Sequence, residues 1–166
     1  MSVLSSVWQT VLSEFSDISD VQEATTIALR LTLAVILGAA IGYEREKKGK
    51  DAGFRTHILV CLGCAIFVLV PVMGGMQSDA VSRIVQGVVS GIGFLGAGAI
   101  LKQSRGSEVK GLTTAASIWV AAGVGVAVGY GQEATAVAST LVALFVLAIL
   151  GRLERATMKT DQSHEP

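Results

Sequence analysis

The chain has 166 residues, 51% of them hydrophobic and only 16% charged, with 13 basic and 13 acidic side chains. A soluble domain carries about 25% charged residues, so this composition argues against one, and the balanced charge offers no electrostatic footprint for nucleic acid. Glycine is plentiful (19 residues) and proline scarce (2 residues), which in apolar runs is the pattern of helices packed in lipid.

Residues 1–26 contain Glu14, Asp17, Asp20 and Glu23 but no Lys or Arg. A secretory signal needs a basic start, so this segment is expected to remain on the mature protein. Val3, Leu4, Val7, Trp8, Val11, Leu12, Phe15 and Ile18 recur at helical spacing, which predicts an amphipathic helix lying at the membrane interface with Trp8 as an anchor.

A spanning helix needs about 20 mostly apolar residues. Five stretches qualify: 27–43, 58–76, 84–101, 112–131 and 134–151. The expected organisation is an N-terminal amphipathic segment over 1–26, a transmembrane helical domain over 27–151 and a polar cytoplasmic tail over 152–166. Basic residues fall in three places: Arg45, Lys47, Lys48, Lys50 and Arg55; Lys102, Arg105 and Lys110; and Arg152, Arg155 and Lys159. Arg30 and Arg83 are the remaining two. The positive-inside rule then sets the N-terminus outside and the C-terminus in the cytoplasm. The expected fold is an all-α membrane protein, a bundle of about five transmembrane helices preceded by the interfacial helix.

Helices approach closely in lipid through small residues. The first span offers Ala34, Gly38 and Gly42; the third Gly87 and Gly91, continuing through Gly93, Gly96 and Gly98; the fourth Ala121, Gly125 and Gly129. This predicts a bundle centred on the first, third and fourth spans, with the second and fifth, rich in Val, Leu and Ile, turned more toward lipid. The third span is too glycine-rich to be a strong helix former. Very close packing and a break whose carbonyls line a cavity are both open readings. Cys61 and Cys64 sit in an apolar run with no βαβ pattern around them and are read as small packing residues.

Ionisable groups near the bilayer are few and therefore informative. Asp79 and Arg83 are four apart, so one helix face can pair them on the outer side; the alternative role is an entrance for ions or protons. On the inner side Glu44, Arg45 and Glu46 end the first span, and Arg55, Thr56 and His57 begin the second. His57 either titrates near neutral pH or meets headgroups beside Arg55, with Thr56 or a neighbour capping the helix. Thr113 and Thr114 are expected N-caps of the fourth span. No Walker loop, nucleophile elbow or H-E-x-x-H pair is present, and no His/Cys spacing suits a transition metal. An enzyme is not expected. No cofactor is evident; magnesium is the ion to consider, yet Asp79 and Glu44 lie at opposite ends of their helices and form no visible cage.

Three motifs occur in order: Gly42-Tyr43-Glu44-Arg45-Glu46 leading to Ala52-Gly53-Phe54-Arg55-Thr56-His57-Ile58-Leu59-Val60; Ser90-Gly91-Ile92-Gly93-Phe94-Leu95-Gly96-Ala97-Gly98; and Val109-Lys110-Gly111-Leu112-Thr113-Thr114-Ala115-Ala116-Ser117-Ile118-Trp119. Together they resemble the MgtC/SapB family of bacterial inner-membrane proteins over about residues 28–155, in the short form without a soluble C-terminal domain. The resemblance implies a multi-pass inner-membrane protein linked to growth under magnesium limitation and to survival inside host cells. It implies action on other membrane machinery, including the ATP synthase, and supplies no agreed role for the motif residues. The expected partners are the lipid bilayer, a second copy of the chain and such a larger complex. The expected function is regulatory; the alternative is an ion transporter or channel for magnesium or protons, against which stands the scarcity of ionisable residues in mid-bundle.

Overall fold

The computed structural model describes residues 3–16, 18, 20–103 and 110–150. Its helices are α1 Val3–Glu14, α2 Val21–Lys47, α3 Phe54–Met73, α4 Ser78–Gln103, α5 Leu112–Tyr130 and α6 Glu133–Phe145, the last continued by a π-helical turn over Val146–Leu150. No strand occurs among the described residues. Four helices, α2 to α5, are long and apolar enough to cross a membrane. The fifth expected span is present as a shorter apolar helix, Glu133–Ile149, which at 1.5 Å per residue reaches about 25 Å. The tail 152–166, with Arg152, Arg155 and Lys159, and Arg105 in the α4–α5 connection lie outside the described residues.

Three helices, α2, α3 and α4, start several residues before the apolar runs. α2 begins at Val21 because Asp20 takes an extended conformation and its Oδ1 accepts a hydrogen bond from the Glu23 amide at 2.7 Å, half of a capping box. α3 begins at Phe54, whose amide donates to Glu46 Oε2 at 2.8 Å. The end of α2 thus caps the start of α3. The α5–α6 turn closes on Gly131 at φ +87°, with Gly131 N–H donating to Val128 O and Gln132 N–H to Ala127 O, a Schellman pattern that favours glycine.

The core lies where α3 packs between α2 and α5. Ala34, Leu37 and Ile41 of α2, Cys61 and Ala65 of α3, Ala121, Val124 and Val128 of α5 and Ala136 of α6 form one buried cluster. Glycines set the spacing. A methyl group at Gly38 would stand 2.8 Å from the His57 carbonyl oxygen, and one at Gly42 2.8 Å from Phe54 Cα. At Gly125 and Gly129 it would overlap the Cys61 and Ala65 carbonyl oxygens. Cys61 and Cys64 are buried free thiols in this seam.

This corrects the expected arrangement. The second span, not the third, is central. α4 is largely uncovered: a methyl group at Gly87, Gly91, Gly93 or Gly98 would meet no atom within 4 Å, and one at Gly96 would meet only Ala115 Cβ at 3.7 Å. Nor is α4 broken; it runs as one helix through the glycine-rich stretch. A strip of glycine permits close approach but does not choose the partner. The stripes of α2 and α5 press against the α3 backbone, whereas Gly87 and Gly91 of α4 stand apart from it. α1 buries none of its residues, and Leu4, Val7, Trp8 and Val11 are all exposed, as an interface helix requires.

Ala at Gly38 or Gly125 should therefore destabilise the protein by about 1–3 kcal/mol through overpacking. Ala at Gly93 or Gly98 should be neutral or raise stability by up to about 1 kcal/mol, because alanine is the better helix former. Thermal unfolding in detergent followed by circular dichroism checks the contrast.

Candidate functional site

Among the described residues, four of the five buried polar side chains gather at the end of the bundle where α2 finishes and α3 and α5 begin; the fifth, Thr140 in mid-α6, donates to Ala136 O. Arg45 is 2% exposed and His57 not at all. A guanidinium in such a place needs a counter-charge, and Glu44 supplies it: Oε2 receives both Arg45 Nε and Nη2. The other carboxylate oxygen, Oε1, pairs with Lys48, one turn further on. Lys48 Nζ also donates to the carbonyl of Leu147. That carbonyl belongs to the π-helical turn, a place where the regular ladder is interrupted. One carboxylate thus faces two cations, and one of those cations ties α2 to the end of α6.

His57 sits beside this group and feels the charges of both Arg45 and Glu44. Its Nδ1 lies 2.8 Å from Gly53 O and its Nε2 3.0 Å from Ser117 Oγ. Ser117 Oγ in turn donates to Thr114 O at 2.8 Å. Proton counting constrains the chain. Gly53 O only accepts, so Nδ1 carries a proton. Ser117 has a single hydroxyl proton; if it goes to Thr114 O, Nε2 must donate to Ser117, and the ring carries both protons. In the neutral ring, Ser117 has to choose between His57 and Thr114. The Ser117 hydroxyl orientation and the His57 protonation state are therefore linked.

The residues singled out in the sequence separate into two groups. Glu44, Arg45, His57 and Thr114 come together, with Glu46 beside them as the α3 cap. Arg55, Thr56 and Thr113 are exposed; Thr56 and Thr114 line a small cavity with Asp51 and Phe94, about 260 Å³. Asp79 and Arg83 lie exposed at the far end, in the first two turns of α4, and do not pair. The expected threonine caps are also corrected. Gly111 precedes α5 at φ +91° as its N-cap and Gly53 precedes α3, while Thr114 is buried through its backbone link to Ser117. His57, fully buried, does not meet headgroups.

A profile of the MgtC family matches residues 31–156, which include every member of this cluster. The chain belongs to the MgtC family. It is 43% identical to the protein SrpB of Synechococcus elongatus over 78% of the chain and 77% of SrpB. It is 46% identical to the protein MgtC of Salmonella typhimurium over 70% of the chain. YhiD of Escherichia coli K12, named as a candidate magnesium transporter, is 42% identical over 75% of the chain. The matches cover 48% of the Salmonella protein and 60% of YhiD, so the chain spans about half of some of its relatives. No solved structure matches. Together, the family and the four long apolar helices make this a multi-pass membrane protein.

Four residues with buried or ionic contacts are not singled out by the sequence. Ser117 lies three residues after Thr114, a polar pair on one face of an apolar helix. Lys48 lies four residues after Glu44, the spacing of a helical ion pair. Arg30 and Glu133 join α2 to α6 at the opposite end: Arg30 Nε meets Glu133 Oε1 at 3.1 Å, and Nη1 donates to Gly129 O at 3.2 Å. No spacing in the chain announces a pair 103 residues apart.

The donor set does not fit a magnesium ion, which takes one or two free carboxylates and keeps its waters. Glu44 is committed to Arg45 and Lys48, and among the described residues no three His, Cys, Asp or Glu side chains converge. Glu44→Gln should cost about 3 kcal/mol or more, because it strands the buried Arg45 charge. Glu133→Gln, breaking a pair with 17% and 35% exposed side chains, should cost about 1 kcal/mol or less. Comparing the two melting temperatures in detergent checks the ordering.

Proposed function

We propose that this protein is a regulator in the bacterial inner membrane, not an enzyme, serving adaptation to magnesium limitation by contact with another membrane complex. Its N-terminus is outside and its C-terminus cytoplasmic, so the Glu44–His57 cluster lies at the cytoplasmic end, where the basic residues concentrate. The observation that carries the reading is the uncovered face of α4. Gly87 and Gly91 line an apolar groove of about 430 Å³ with Cys64, Phe67 and Leu95, and Phe94 stands 81% exposed. A glycine face of this kind lets another helix approach backbone to backbone. The link to magnesium is supported by the name of YhiD and by the family resemblance. A second copy of the chain and a larger complex such as the ATP synthase are the partners this face suits.

The interior supports regulation over transport. The seam between α2, α3 and α5 is filled by Ala, Val, Leu, Ile and Cys, while the buried Arg45, His57, Thr114 and Ser117 stay at one end. A path for ions across the bilayer needs polar lining at mid-depth.

Two measurements test this reading. Photo-crosslinkers at Gly87 or Gly91 in cells grown at low magnesium should capture a membrane partner, and one at Leu59 on α3 should not. Capture of nothing but the chain itself, at every magnesium level, would count against regulation of another complex. Folded protein in liposomes should pass neither magnesium nor protons above empty vesicles. Flux that disappears in Asp79→Asn would instead make the protein a transporter.

A further inference from the structure

We infer that the cleft between α5 and α6 is a binding site for an anionic phospholipid, with an acyl chain in the cleft and the headgroup at its basic end. The cleft encloses about 830 Å³. Its walls run from Leu112 to Val120 on α5 and from Ala138 to Leu147 on α6, a length of about 12 Å at 1.5 Å per residue. One end of the cleft therefore lies where α5 begins and α6 finishes, and the other in mid-helix.

Three observations select the occupant. The lining is mostly alanine, valine and leucine, and the one buried hydroxyl on it, Ser117, is spent inward on Thr114 O and His57. The inner part of the cleft thus suits a hydrocarbon chain rather than a polar ligand. Positive charge stands at the end where α5 begins. Lys48 reaches the carbonyl of Leu147, a lining residue, and shares the single carboxylate of Glu44 with Arg45; the three groups sum to one net positive charge. Lys110 lies two residues before Leu112, another lining residue, and Thr113 adds a hydroxyl at the same level. Basic pockets between helices at the cytoplasmic face are where anionic headgroups bind, each lysine adding to the attraction.

This site is independent of the regulatory reading and survives its failure. The test is native mass spectrometry of the full chain extracted from vesicles of equal parts dioleoyl phosphatidylglycerol and dioleoyl phosphatidylcholine. The wild type should retain one phosphatidylglycerol with about tenfold preference over phosphatidylcholine. Ala143→Trp and Ser139→Phe, which fill the cleft from α6, should lose it while keeping wild-type helicity and melting temperature. Lys110→Gln should reduce the preference and leave retention of lipid intact. Equal retention of the two lipids by the wild type overturns the proposal, and so does phosphatidylglycerol retention undiminished in both folded cleft variants.

Discussion

The structure depends on how closely the α3 backbone approaches α2 and α5. Lipid supplies no hydrophobic push between helices, so the gain has to come from dispersion contacts at short range. Gly38 and Gly42 on one side and Gly125 and Gly129 on the other remove the side chains that would keep the backbones apart. The approach has a second effect. It brings the first turn of α3, and with it His57, between Gly38 on α2 and Ser117 on α5. The polar cluster is thus a by-product of glycine packing: move α3 outward by one methyl group and the hydrogen-bond chain from Gly53 through His57 and Ser117 to Thr114 opens.

Electrostatics at that end follow from burial. The buried Arg45 guanidinium takes Glu44 as its counter-charge, and Glu44 in turn fixes Lys48. Lys48 holds the π-helical turn at the end of α6, so a single carboxylate organises the ends of two helices. At the opposite end Arg30 ties α2 to Glu133 and to the last turn of α5. α6, shorter than its neighbours, is held at one end by the Arg30–Glu133 ion pair and at the other by the Lys48 hydrogen bond to Leu147 O, and the cleft against α5 lies toward the latter end.

Function divides along the same lines. The closely packed helices α2, α3 and α5 share a buried seam of Ala, Val, Leu, Ile and Cys, while α4 presents glycines and Phe94 outward. Under the proposed reading, the contacting surface is the outward face of α4 rather than the interior of the bundle. Regulation by contact, with α4 as the contacting element and the buried ionic cluster as the anchor of the opposite helices, is consistent with that division.

The sequence by itself determined the class of structure and the number of apolar helices, because hydropathy and length are properties of the chain taken locally. It also pointed to Glu44, Arg45 and His57, since an ionisable group next to an apolar run is conspicuous whatever it touches. Helix beginnings were partly legible: Asp20 and Glu23 spell a cap, whereas the cap of α3 comes from Glu46 on another helix. What only the tertiary structure decided was which glycine stripe is buried. The stripes of α2, α4 and α5 look alike along the chain, and nothing local distinguishes a face pressed against the α3 backbone from one left uncovered. For the same reason Ser117 and the Arg30–Glu133 pair were invisible: their partners lie 60 and 103 residues away, and such contacts exist only once the helices have packed.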